Sequence, residues 1–134
     1  MCEKYQTFLV PTGPENHLYI VVTHEDDNGM HILINVSSID PDIPYDTTCC
    51  LEAGVHRFIR HPSYVAYKFA IQRHKNFVDQ QVQNGAYRPH DNASGELVTK
   101  ICEGIKKSNF TKRGIRDDYN AALRAVARRK KAAM

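Results

Sequence analysis

Apolar residues fall into short β-branched runs over the first half of the chain and recur at helical spacing over the second. Thr7-Phe8-Leu9-Val10 is the first run. It stops at Pro11-Thr12-Gly13-Pro14, whose prolines lack amide donors and whose glycine admits a positive φ. His17-Leu18-Tyr19-Ile20-Val21-Val22-Thr23 and Met30-His31-Ile32-Leu33-Ile34-Asn35-Val36-Ser37 flank the turn His24-Glu25-Asp26-Asp27-Asn28-Gly29, which predicts an antiparallel hairpin. Neither strand alternates strictly, so both faces of the hairpin are expected to be covered and the pair to be central. After a polar loop from Ser37 to Asp46, Thr47 to Leu51 reads as a brief strand ended by Gly54. Tyr64 to Ile71 reads as another, entered through Pro62. Alternation along that last strand puts Tyr64, Ala66, Lys68 and Ala70 on one face and Val65, Tyr67, Phe69 and Ile71 on the other.

Beyond Arg73 the apolar period lengthens. Phe77, Val78, Gln81 and Val82 fit one face of a short helix that ends near Asn84-Gly85, a plausible left-handed cap. Residues 86–93 read as a loop. Ser94 is placed to cap a helix in which Leu97, Val98, Ile101, Cys102 and Ile105 form the apolar face. Ser108-Asn109-Phe110-Thr111 breaks it. A last helix, opened by Asp117-Asp118, carries the apolar stripe Tyr119, Ala122, Leu123, Val126 and Ala127 opposite the basic stripe Arg116, Asn120, Arg124 and Arg128. Arg128-Arg129-Lys130-Lys131 is expected to fray into solvent. The expected fold class is α+β: a strongly curved antiparallel sheet or small barrel from residues 7–71, covered by three helices from residues 73–131.

A length of 134 residues and 15.3 kDa predicts one domain spanning residues 1–134, with strands and helices sharing one core. No apolar run approaches the roughly 18 residues that suggest a bilayer span. The start Met1-Cys2-Glu3-Lys4 lacks the basic and apolar regions of a secretory signal, so no membrane association and a cytoplasmic location are expected. Cys2, Cys49, Cys50 and Cys102 lack Cys-x-x-Cys spacing and read as small core residues, the adjacent pair pointing to opposite strand faces. Seven scattered histidines make no compact ligand motif, and Asp40, Asp42 and Asp46 do not match a calcium loop. No metal and no cofactor is therefore expected.

Charge changes the picture more than composition does. Residues 1–54 hold nine Asp or Glu against the single Lys4, whereas residues 55–134 hold seventeen Lys or Arg against six acids. Such a split either attracts a polyanion to one face or lets the two halves attract each other, within the fold or between subunits. The segment from Gly54 to Ala70 concentrates the candidate chemistry. His56 as acid or base, Arg57 as phosphate clamp, Asp46 as orienting carboxylate and Ser63 as a hydroxyl are the parts that metal-free cleavage of an RNA phosphodiester would need. Arg60, His61, Tyr64, Tyr67 and Lys68, with Arg116, Arg124 and Arg128 on the last helix, are the candidate RNA contacts. Alternation allows only one of Tyr64 and Tyr67 to face a ligand, the other packing inward with its hydroxyl satisfied. The structural alternative is that His56 and His61 bond to loop backbone while the arginines sit in solvated ion pairs. Neither a nucleotide phosphate loop, a dinucleotide fingerprint nor a Gly-x-Ser-x-Gly elbow is present.

The succession His17–Thr23, turn, Met30–Ser37, followed by Ser38-Ile39, resembles the central hairpin of the small-barrel bacterial toxins of the PemK/MazF superfamily over residues 7–71. Glu15-Asn16-His17 stands where that family usually carries an Arg-Pro pair. The resemblance implies an SH3-like small barrel followed by helices, and a homodimeric endoribonuclease restrained by an antitoxin. The leading expectation is thus a toxin-like RNA-binding protein that cleaves without metal. Two alternatives stand beside it: a non-catalytic module for nucleic acid or an acidic protein partner, and a regulator whose acidic and basic halves serve self-association alone.

Overall fold

The structure is a computed structural model that describes residues 1–134. Six strands form one curled, fully antiparallel half-barrel sheet: β1 (Thr7–Thr12), β2 (Glu15–Val21), β3 (Met30–Ser38), β4 (Cys50–Leu51), β5 (Ser63–His74) and β6 (Arg88–His90), in the spatial order β4-β5-β3-β2-β1-β6. Three helices, α1 (Lys75–Gln83), α2 (Gly95–Lys107) and α3 (Arg113–Ala133), complete the α+β fold.

Both faces of the sheet are covered, which is why the strands of the central hairpin read as near-continuous apolar runs. Leu18, Ile20, Ile32, Ile34 and Val36 pack with Leu97, Val98, Ile101 and Ile105 of α2 on one face. Tyr19, Val21 and Leu33 pack with Phe8, Val78 and Tyr87 on the other, beneath α1. The hairpin turn is held by Asp26, whose Oδ1 accepts the amides of Asn28 (2.8 Å) and Met30 (3.0 Å). Ser94 caps α2 as its position suggests, accepting the Leu97 amide at 3.1 Å.

The strand β5 departs from simple alternation. Leu33 pairs with Ile71 and Asn35 with Ala66, so four residues of β5 face the single Ile34. An odd excess of three residues exchanges the two faces of the strand. Ala70 therefore joins Val65 and Tyr67 in the α2 core, Ile71 passes to the α1 side, and Lys68 and Phe69 bulge into solvent. This corrects the expected grouping of Phe69 and Ile71 with Val65 and Tyr67.

Three further differences have physical causes. Residues 88–90, expected to be loop, add the edge strand β6, which carries Pro89 where an edge tolerates a missing donor. It falls between α1 and α2, so the strands do not all precede the helices. The helix α3 begins at Arg113, not at Asp117, because the buried Ile115 supplies an extra apolar anchor in its first turn. Its basic end does not fray: Arg128 pairs with Asp27, and Arg129 donates to the Asp26 carbonyl at 3.2 Å. With Lys75 on Glu25 at 2.9 Å, these contacts show the acidic first half and the basic second half attracting each other within the fold.

The cysteines are free. Cys2 and Cys49 are buried and Cys50, its side chain on the opposite face, is exposed. Burial, then the nearby Asp79 carboxylate, pushes the Cys2 thiol up to about 12, so it is uncharged at neutral pH.

Candidate nucleic-acid interface

The loop from Glu52 to Pro62 leaves one edge of the sheet and is tied to the other. Its backbone closes on itself where the Gly54 amide donates to Ile59 O (2.8 Å) and the Ile59 amide to His56 O (2.9 Å). Gly54, at φ 96°, takes a conformation that side chains disfavour. His56, only 6% exposed, has both ring nitrogens engaged. Nδ1 accepts the Phe58 amide at 3.0 Å, which leaves the proton on Nε2, and Nε2 donates to Asp91 O at 2.6 Å. Thr7 Oγ1 donates to the same carbonyl at 2.7 Å, and Arg57 pairs with the Asp91 carboxylate at 3.0 Å. Asp91 directly follows β6, whereas the loop hangs between β4 and β5, so His56 and Arg57 strap the two edges of the half-barrel together.

The imidazole of His56 has no free position for exchanging a proton with a bound phosphate. His56→Ala is expected to lower stability by about 2 to 3 kcal/mol, because it removes two part-buried hydrogen bonds of a buried side chain and leaves a void, whereas Arg57→Ala, in an exposed pair, should cost less than about 0.5 kcal/mol. Urea denaturation monitored by circular dichroism checks both values. A larger loss for Arg57→Ala than for His56→Ala would contradict the strap.

Asp46 lies elsewhere. Its Oδ1 accepts the amide and hydroxyl of Thr48 (2.9 and 2.6 Å), and its Oδ2 accepts the hydroxyl of Ser108 at the end of α2 (2.6 Å). Ser63 is buried, its hydroxyl donating to His61 O at 2.8 Å. The structure therefore distributes Asp46, His56 with Arg57, and Ser63 over three places and does not gather them in one cleft.

It does gather other residues of the same segment. A cleft of about 470 Å³ opens between the ends of β2 and β3, the loop and the start of β5. Arg60, His61, Ser63 and Tyr64 line it together with Phe58 and Phe69. Phe58 is 36% and Phe69 49% exposed, high values for phenylalanine. Across the cleft stand Asn16, His17 and Ser38, with Glu15 as its one carboxylate. The His17 ring is held through Nδ1 by Thr12 Oγ1. Tyr64, whose ring centroid lies 5.2 Å from that of Tyr45, also forms the wall of an adjoining hollow with Lys68 and the 55% exposed Phe110. Lys68 Nζ sits 4.9 Å from the Phe69 ring centre. Neither Arg60 nor Lys68 is in a salt bridge, which leaves both cations available.

The remaining candidates divide. Tyr67 has no exposed surface and its hydroxyl donates to Ile101 O at 2.7 Å, so of the two tyrosines it is the one that packs inward. Burial, then Cys49, pushes its phenol far above the ordinary range. Arg116 donates to the Ser108 carbonyl and Arg128 pairs with Asp27, which leaves Arg124 as the unengaged arginine of that stripe. His17, Phe58 and Phe69, with Asn16 and Ser38, are cleft residues that sequence reasoning passed over. Phe58 and Phe69 each adjoin a basic residue, the one signal that could have marked them, but the alternation that groups Phe69 with Val65, Tyr67 and Ile71 is broken by the bulge.

Comparison with known proteins gives no match to any family model, curated protein or solved structure. No helix is long and apolar enough to cross a membrane.

Proposed function

We propose that the protein binds single-stranded RNA in the cleft between the loop and β5, with bases stacking on Phe58, Phe69 and Tyr64 and phosphates held by Arg60 and Lys68. The observation that carries this reading is the convergence of exposed aromatic rings and unpaired cations on one surface. Stacking on such rings is tolerant of sequence, and cations beside them follow the backbone. Asn16 and Ser38, on the facing walls, supply hydrogen-bonding groups suited to a ribose 2′-hydroxyl. A rigid duplex hides its base faces and offers these rings nothing to stack on.

The reading does not require cleavage. It is tested by fluorescence anisotropy with a labelled oligoribonucleotide, single-stranded and then annealed to its complement, in excess chelator, followed by electrophoresis of the RNA. Retention of the single strand at least tenfold tighter than the duplex, with the RNA intact, is the expected result. Equal retention of both would refute it. Cut products would instead favour the toxin-like endoribonuclease, with His17 and His61, the two imidazoles that line the cleft, as its proton-transfer groups. An acidic, antitoxin-like protein would compete for the same cations and displace the RNA.

A further inference from the structure

A second cavity of different character lies between α2, α3 and the end of β2. It has a volume of about 660 Å³, within the roughly 300 to 1,000 Å³ typical of small-molecule sites. Val22, Val98, Ala122, Leu123 and Val126 make it apolar. Its polar wall groups are uncharged at neutral pH: the Cys102 thiol donates to Val22 O at 3.4 Å, and burial, then Cys102, pushes the Tyr119 phenol up to about 12. The rim is cationic, with Lys4, Lys106 and Lys130 against the single Glu103.

Lys4 and His24 also line an adjoining polar hollow of about 440 Å³, which Arg129 and His31 enter. His31 is 3% exposed. Its Nδ1 donates to Thr23 O at 2.9 Å, so Nε2 carries the lone pair, and that atom has no hydrogen-bond partner. A buried imidazole nitrogen without a partner is costly and marks a place where a ligand's polar group is missing. Glu3 and Glu25 also line the hollow, but Glu25 is neutralised by Lys75.

We propose that these two joined cavities bind a single-tailed amphipathic anion, of which a medium-chain carboxylate is the simplest form, with the tail between α2 and α3 and the head among Lys4, His24, Arg129 and His31. The division of labour follows from the walls. Apolar surface takes the chain, the cations take the charge, and the head group fills the space beside the unpartnered His31 nitrogen. An amphipathic helix from a partner protein could use the apolar groove, but it would leave the hollow and the His31 nitrogen unfilled.

Isothermal titration calorimetry with dodecanoate tests the site, with dodecyltrimethylammonium as the probe of equal tail and opposite charge. One dodecanoate is expected to bind per chain, at least tenfold tighter than the cation. Heats measured in two buffers of different ionisation enthalpy should show proton uptake. The variant Lys4→Glu, at the junction of the two cavities, should weaken dodecanoate at least tenfold while leaving the cation no weaker. Ala127→Trp, on the exposed wall, should fill the groove and weaken both. The imidazole of His24 gives a separate readout. Burial first, then Lys4 and Arg129, hold its pKa below the ordinary value, and a neighbouring anion should raise it in an NMR titration. Equal affinity for the two probes, or dodecanoate binding unchanged in the Lys4→Glu variant, would overturn the proposal.

Discussion

Gly104→Ala should destabilise the protein by about 3 kcal/mol or more, even though alanine is favoured over glycine by roughly 1 kcal/mol inside a helix. The helix α2 lies so close to β5 at this point that an added Cβ would stand 1.9 Å from Tyr67 Oη and 2.5 Å from its ring carbon Cζ. Neither neighbour can move freely. Tyr67 is fully buried, and its hydroxyl is anchored to Ile101 O on the same helix. The clash must push α2 off the sheet, loosening the contacts of Leu97, Val98, Ile101 and Ile105 with the larger core. For a chain of this length 3 kcal/mol corresponds to a fall in Tm of roughly 10 °C. Tyr67→Phe alone should cost about 1 to 2 kcal/mol for the lost hydrogen bond, but combined with Gly104→Ala it should restore part of the loss, since the closest obstructing atom is gone. Additive losses in the double variant, or a Gly104→Ala protein as stable as the parent, would show that α2 does not seat on Tyr67.

Arg60→Glu with Phe69→Ala should weaken single-stranded RNA binding by on the order of 100-fold while changing stability by less than about 1 kcal/mol. The two substitutions remove different interactions. Loss of one stacking ring costs about 1 to 3 kcal/mol, and loss of one phosphate contact lowers the salt dependence of log K by about 0.7 for a single strand. Both side chains are exposed and Arg60 is in no ion pair, so the fold loses little with them. Phe69→Ala alone should leave the salt slope unchanged, whereas Arg60→Ala should flatten it. Arg116→Ala and Arg128→Ala should scarcely affect binding, since these side chains are committed to Ser108 and Asp27. Anisotropy over a series of salt concentrations separates these contributions. A flatter slope for Arg128→Ala than for Arg60→Ala would move the interface to α3.

The amino-acid pattern carries most of the architecture because it is local. β-branched runs, proline and glycine turns, and the Ser94 cap each report on a few neighbouring residues, and the central hairpin, α1 and α2 fall close to where that pattern places them. Long-range pairing leaves no such mark. The bulge that turns Lys68 and Phe69 outward is defined by Ile34, more than thirty residues away in sequence, and β6 is a strand only because β1 lies beside it. The basic end of α3 reads as a solvated tail until Asp26 and Asp27 are brought against it. The site shows the same division. Density of His, Arg, Ser and Tyr marks a segment of which part lines the cleft, but which side chains face outward depends on the loop's attachment to Asp91, and that attachment engages His56 and Arg57, the two residues whose chemistry looks most catalytic.

Single-stranded RNA is proposed to lie in the cleft between the loop and β5. Titrating isotopically labelled protein with a short oligoribonucleotide, and following amide and aromatic resonances by NMR, tests it most directly. The largest shifts should fall on Phe58, Arg60, His61, Tyr64, Lys68 and Phe69, with smaller ones at Asn16, His17 and Ser38, while Arg124 and its neighbours on α3 stay unmoved. Shifts centred on α3, with the cleft resonances unchanged, would contradict it.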